Sequence, residues 1–240
     1  MAFMQLILSD LVLSFMCVWS GALIKLFVYK ILGFGFEIKG EILKASLSIL
    51  SMLLFAWLSK KTNGGSYNPV AVLSGAASAG NFSGFLFTVG ARIPAQVLGY
   101  IAGVKYFIEA FPQTGHGPPL NVDIYKGALI EGLLTFAIVI IALGLARTNR
   151  RSFFIKTWIL SVSRLTLQTL GSDLTGGSMN PASAMGWAYA RGDHITKEHI
   201  IVYWLAPIQA TLLGILTFGL LVQPQKLKEE KMISKRNKSD

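Results

Sequence analysis

Two copies of one short motif carry the polar groups best suited to handling a small solute. Residues 64–69 read Gly-Gly-Ser-Tyr-Asn-Pro, and residues 176–181, 112 positions later, read Gly-Gly-Ser-Met-Asn-Pro. Asn is a favoured helix N-cap and Pro is favoured at the first helical position, so each motif predicts the start of a helix. An Asn that caps through its side-chain oxygen can still turn an amide N–H toward a passing oxygen atom. Asn68 and Asn180 are therefore the candidate donors.

The helices that these motifs open, predicted over residues 69–79 and 181–190, are too short to cross a bilayer. Six other apolar segments are long enough, and they cover residues 5–28, 40–58, 86–108, 126–146, 153–171 and 199–222. With three spans in each half, the second motif must enter the membrane upside down. The sequence predicts an all-α membrane protein with six transmembrane helices and two re-entrant half-helices. The inverted halves cover about residues 1–115 and 116–225 of a single transmembrane domain.

Composition and charge support a place in the lipid bilayer. Of 240 residues, 52% are apolar and only 14% are charged, too few charges to cover a soluble surface. The formal net charge of +10 comes from basic residues that lie between the apolar segments and in a basic tail over residues 226–240. This is the positive-inside pattern, so both termini are predicted to be cytosolic, and a nucleic-acid-binding face is excluded.

Four charged residues lie within or close to the apolar segments. Asp10 and Glu131 occupy corresponding places in the two halves, and such residues are costly in a membrane unless they face the bundle and find partners. We hypothesise that each acid accepts backbone N–H groups of a re-entrant loop; a proton relay is the alternative. For Arg92 and Arg164 we favour snorkelling to the interface over a place on the pore.

The repeat also suggests a mechanism. If the two half-helices meet near the membrane midplane, each N-terminus brings roughly half a positive charge there, which repels cations. A water molecule held by Asn68 and Asn180 would direct its own hydrogens outward and so interrupt a proton wire. The glycines before each Asn would let extended backbone line a water-filled cavity.

Several stretches resemble the aquaporin, or major intrinsic protein, family over residues 5–225, and more narrowly the second subgroup of the plant small basic intrinsic proteins. The resemblance is carried by residues 34–37, 87–96 and 171–177, by the very short N-terminus and by the lysine-rich tail. It implies a right-handed six-helix bundle with one pore per protomer, a homotetramer, and a place in the endoplasmic reticulum membrane.

The chain departs from this family's pattern at two places. The usual Asn-Pro-Ala is kept as Asn180, Pro181 and Ala182, but the first copy reads Asn68, Pro69 and Val70. The resemblance places the four positions of the outer selectivity filter at Ser48, Gln168, Gly177 and Ser183, where the usual aromatic, histidine and arginine are missing. A wider, neutral filter is expected, with a modest change in midplane width at Val70.

The favoured function is a passive channel for water or small neutral solutes in a lipid bilayer. The alternatives are a poorly conducting structural or regulatory protein of the same fold and an ion-coupled secondary transporter, because inverted repeats with broken helices also build transporters. No nucleophile elbow, HExxH or phosphate loop occurs, so an enzyme is not expected. No cofactor and no metal site are expected either, and the three histidines are scattered.

Overall fold

The computed structural model describes residues 2–112, 117, 120–148 and 152–236, with side chains described as far as residue 221. Every regular element in this part of the chain is a helix. The α-helices are α1 (Ala2–Leu26), α2 (Ile38–Lys61), α3 (Pro69–Ser78), α4 (Phe82–Phe87), α5 (Ile93–Ala110), α6 (Ile124–Arg147), α7 (Phe153–Gly171), α8 (Pro181–Arg191), α9 (Lys197–Ile200) and α10 (Ala206–Arg236).

Three π-helical turns make the long helices continuous. Phe27–Ile31 extends α1, Thr88–Arg92 joins α4 to α5, and Ile201–Leu205 joins α9 to α10. The described chain therefore contains six long helical rods, and the prediction of a six-helix membrane fold with two half-helices is confirmed.

Five of the six rods are long and apolar enough to cross a membrane, and α7 is the exception. α7 has 19 residues, sufficient in length, but it carries Lys156 and Arg164 together with several Ser, Thr and Gln residues. Thr157 and Ser161 are buried in the bundle, whereas other polar side chains of α7, such as Thr169, are exposed. The polarity of α7 is therefore only partly directed into the bundle.

The two half-helices are α3 and α8, of 10 and 11 residues. A helix of this length covers about half of a hydrocarbon core at about 1.5 Å per residue. α8 ends at Gly192, which adopts the left-handed conformation with φ 84°, a common helix stop.

The packing repeats between the two halves. α1 packs on α5 as α6 packs on α10, and the half-helix α8 packs on α5 as α3 packs on α10. Each half-helix thus rests against the last long helix of the opposite half, which interlocks the two halves.

Glycines allow the closest of these helix contacts. A Cβ atom on Gly99 of α5 would lie 2.2 Å from the backbone oxygen of Leu11 in α1, and one on Gly214 of α10 would lie 2.9 Å from a side-chain carbon of Val139 in α6. Such close approach favours helix association where lipid provides no hydrophobic drive.

The last helix extends beyond the predicted domain boundary at residue 225. α10 continues to Arg236, so the backbone shows no break where the basic tail begins. Residues 237–240 of that tail lie outside the described residues.

Candidate pore

Each Asn-Pro motif forms a helix cap. Asn68 and Asn180 both have extended backbone, and each is followed by a Pro in the first turn of its half-helix. The Asn68 Oδ1 atom accepts the Val70 N–H at 3.0 Å, and the Asn180 Oδ1 atom accepts the Ser183 N–H at 3.2 Å. The capping oxygen satisfies one N–H that the first helical turn would otherwise leave unpaired.

The two motifs also bind each other reciprocally. The Asn68 amide nitrogen donates to the Met179 carbonyl at 3.0 Å, and the Asn180 amide nitrogen donates to the Tyr67 carbonyl at 3.1 Å. Met179 and Tyr67 each precede the Asn of their own motif, so the two bonds are equivalent across the repeat. The N-termini of α3 and α8 therefore meet inside the bundle, where the Asn side chains are almost fully buried.

The second amide N–H of Asn180 has a partner that sequence reasoning missed. It donates to the Tyr100 hydroxyl at 2.9 Å, and Tyr100 is a buried residue of α5, only 2% exposed. The expectation that Asn180 offers a free N–H to the lumen is wrong, because both of its N–H groups are taken within the protein. Asn68 has one acceptor among the described residues, so its second N–H remains available to a solute.

Glu131 of α6 accepts three hydrogen bonds from the second loop. Its Oε1 atom accepts from the Thr175 hydroxyl at 2.7 Å and from the Ser178 N–H at 2.8 Å. Its Oε2 atom accepts from the Met179 N–H at 2.9 Å. Met179 is fully buried and has a positive φ of 44°, which is unfavourable for a residue with a side chain. The fully buried carboxylate thus holds the strained residue whose carbonyl binds Asn68.

Asp10 of α1 plays the corresponding part in the first loop, with an additional partner. Its Oδ1 atom accepts the Ser66 N–H at 2.6 Å. Arg92 donates to both carboxylate oxygens of Asp10, at 2.7 and 2.9 Å, and to the Gly64 carbonyl at 2.6 Å. The preference for a snorkelling Arg92 is wrong: the side chain turns into the bundle and neutralises a fully buried acid.

The four predicted filter positions lie on three helices and in the loop that precedes α8. The structure brings Gly177 against Gln168 of α7: a Cβ atom on Gly177, whose φ is 54°, would lie 2.5 Å from the Gln168 backbone oxygen. Ser183 is in the first turn of α8. Ser48 is in α2, which packs on α7, and its hydroxyl donates to the Lys44 carbonyl at 2.8 Å. Only glycine fits position 177, because both the φ and the close contact exclude a side chain.

Val70 and Ala182 follow the two prolines and are both buried, at 5% and 0% exposed. Ala182 packs in a core cluster with Val18 and Tyr100. The cluster therefore connects the second half-helix to α1 and α5. In the described residues, no three His, Cys, Asp or Glu side chains come together as metal ligands would.

Six long helical rods, two half-helices that meet inside them, and buried amide donors at the meeting point define a multi-pass membrane protein of the channel type. Comparison with known proteins identifies the class: residues 1–218 match the major intrinsic protein family, and the chain belongs to this family. It is a channel protein of the aquaporin class and not an enzyme.

Its relatives are plant proteins. The chain is 53% identical over 227 residues to a protein named probable aquaporin SIP2-1 of Arabidopsis thaliana, covering 94% of this chain and 95% of that one. It is 50% identical over 234 residues to aquaporin SIP2-1 of Oryza sativa subsp. japonica, covering 97% and 94%. Aquaporin SIP1-1 of the same rice is 38% identical over 192 residues, covering 76% and 77%.

Proposed function

We propose that the chain forms a passive channel for water and small neutral solutes that excludes ions and protons. The observation that carries this proposal is the reciprocal pair of hydrogen bonds by which Asn68 and Asn180 join the N-termini of α3 and α8. Two helix N-termini brought together inside a bundle concentrate about one unit of positive charge there, which repels cations.

A solute in the pore would bind the Asn68 amide directly, but would interact with the Asn180 amide only through the Tyr100 hydroxyl. Asn68 offers its second N–H, whereas Asn180 is bonded to the Tyr100 hydroxyl. A hydroxyl that accepts from Asn180 can donate its own hydrogen onward, so Tyr100 takes the place of a first water molecule. Two oriented donors acting on a single file of water disfavour a continuous proton wire.

The two buried acids keep this arrangement in place. Glu131 fixes Met179, whose carbonyl accepts from Asn68, and Asp10 fixes Ser66, two residues before Asn68. We assign Asp10 and Glu131 to loop support, since their oxygens are occupied by donors of the loops. A proton relay would need oxygens free for a moving proton.

Four positions form the outer filter in this proposal: Ser48, Gln168, Gly177 and Ser183. None of them carries a formal charge, and none is aromatic. A neutral filter of small side chains would admit solutes larger than water. Val70 would affect the width at the midplane, and comparing water flux through Val70→Ala with the wild type measures its contribution.

A poorly conducting structural protein of the same fold is the second candidate. Tyr100 favours it, because its ring lies buried at the junction of the half-helices and its hydroxyl occupies a donor that water would otherwise use.

Stopped-flow light scattering on proteoliposomes separates these functions. We expect water flux well above that of empty liposomes, with a low activation energy. The same measurement is then repeated with gradients of peroxide, urea and glycerol, which are larger solutes. Absence of excess flux with correct insertion would favour the structural protein. Flux that depends on a proton or sodium gradient would favour a coupled transporter.

A matched pair of variants tests the role of the motif. Asn68→Asp keeps a capping oxygen but removes the amide donors and places a negative charge at the junction, so we expect lower water flux and a cation leak. Asn81 is an exposed Asn that caps α4 by the same type of bond, so Asn81→Asp should conduct as the wild type does. Equal behaviour of both variants would contradict the proposal.

We further propose that the protein is a homotetramer in the endoplasmic reticulum membrane with both termini cytosolic, and that the basic tail over residues 226–240 is its address. The narrow resemblance and the position of the basic residues support this. Mass measurement in detergent tests the assembly. Deletion of residues 226–240 tests whether the tail is the targeting signal. If the truncated protein stays in the endoplasmic reticulum membrane, the tail is not that signal.

A further inference from the structure

Arg164 lies on the inward face of α7. The inward positions recur at spacings of four and three residues, as on one face of a helix, and they are Thr157, Ser161, Arg164, Gln168 and Gly171. Three of these, on either side of Arg164, are buried in the bundle, Arg164 itself is half-buried, and Gln168 is exposed. The opposite face of α7 carries apolar side chains that are exposed, among them Ile155 and Leu170. The preference for a snorkelling Arg164 is therefore wrong, since its helix turns it toward the bundle.

The surroundings of Arg164 place its charge close to the junction of the half-helices. Leu160 and Leu167, on the turns before and after Arg164, pack against the core cluster that contains Met179. Met179 directly precedes Asn180, and its carbonyl accepts from Asn68. The guanidinium of Arg164 is thus one helical turn away from the filter position Gln168, in the direction of the Asn-Pro motifs.

The charge of Arg164 is not neutralised by an ion pair among the described residues. The four ion pairs found there involve other cations. Glu131 belongs to α6, which packs on α7, and its oxygens are already occupied by Thr175 and by two backbone N–H groups. A guanidinium keeps its charge under all conditions that proteins meet, so this face of the bundle carries a permanent positive charge.

We propose that Arg164 supplies the fixed positive charge of the pore and is a specificity-determining residue that excludes cations. The inference rests on the proposed channel function. Ser183, at the filter position on α8, is neutral, so the charge enters the lumen from α7, one turn deeper than the filter. There it adds to the positive ends of α3 and α8, while its N–H groups can donate to the oxygen of water or of a small amide.

Cation permeability in planar bilayers under a potassium chloride gradient tests this assignment. Removing one unit charge changes the permeability of a monovalent cation by about 10- to 100-fold, for an effective dielectric constant of about 20 and distances of about 6 to 12 Å. We expect Arg164→Gln and Arg164→Met to raise potassium permeability by such a factor. Arg164→Lys should remain at the wild-type level because it keeps the charge.

Lys105→Gln is the matched control, because it removes a positive charge from an exposed position of a spanning helix. It should leave potassium exclusion unchanged. Two results would overturn the inference: neutral variants that insert normally and still exclude potassium, or a Lys variant that leaks as much as Gln, which would show that shape and not charge matters.

Water flux measured in parallel separates this inference from the proposed function. Absence of water flux through the wild-type protein would refute the channel function. If, in addition, the neutral Arg164 variants carry no potassium current, the role of Arg164 in cation exclusion is refuted as well. A potassium current through these variants, absent from the wild type and from Lys105→Gln, would support the inference whatever the water flux.

Discussion

The replacement Glu131→Gln removes the charge that holds the second loop and changes little else. In the wild type, one carboxylate oxygen accepts from Thr175 and Ser178, and the other accepts from the Met179 N–H. The Gln side chain has the same length but only one acceptor oxygen. If that oxygen keeps the first two donors, the new NH2 group faces the Met179 N–H, and two donors oppose each other.

The expected cost follows from these bonds. A hydrogen bond to a charged group contributes about 1.5–3 kcal/mol, and a buried donor left without a partner costs about 1–3 kcal/mol. The two remaining bonds are also weakened, because their acceptor becomes neutral. We therefore expect a loss of about 3 kcal/mol in the free energy of unfolding. At about 2–4 °C per kcal/mol for a chain of this size, the Tm should fall by roughly 6–12 °C.

The single cysteine provides the assay. Cys17 is half-buried and packs against the core cluster around Tyr100, so a thiol-reactive fluorogenic dye should label it much faster when the bundle opens. Labelling is followed against temperature in detergent. The control is Glu109→Gln, which makes the same chemical change at an exposed position of α5 and should shift the Tm by less than about 2 °C. If both variants unfold at the same temperature, the loop-support role of Glu131 is refuted.

Three further predictions use the same stability assay. Gly99→Ala places a Cβ atom 2.2 Å from a backbone oxygen of α1 and should lose about 3 kcal/mol or more, whereas Gly90→Ala, with nothing within 4 Å, should not destabilise the protein. Arg92→Ala leaves the Asp10 carboxylate buried without its cation and should cost about 3–5 kcal/mol; a loss under about 1 kcal/mol would mean that the pair is unimportant. Tyr100→Phe should cost about 1 kcal/mol and raise water flux, because it frees an amide donor for water; a fall in flux with normal insertion would contradict the hydroxyl's assigned place.

The sequence was sufficient for the features that depend on local chemistry and on repetition. Asn followed by Pro favours the start of a helix, and a helix whose apolar run is too short to span must have one end inside the membrane. Two such copies in an inverted repeat require their N-termini to approach each other. Even the contacts of Asp10 and Glu131 with the loops followed from the cost of a buried acid, which must find donors nearby.

The tertiary structure decided what each side chain meets across the bundle. The helical period shows that Thr157, Ser161 and Arg164 share one face of α7, but the rotation of a helix about its axis depends on its neighbours, so the direction of that face was not in the sequence. Partners far apart along the chain, such as Arg92 with Asp10, depend on which helices pack together. For the same reason, the sequence did not predict that the Tyr100 hydroxyl accepts the second amide N–H of Asn180. Local pattern determined the two half-helices, and packing determined which polar groups reach their junction.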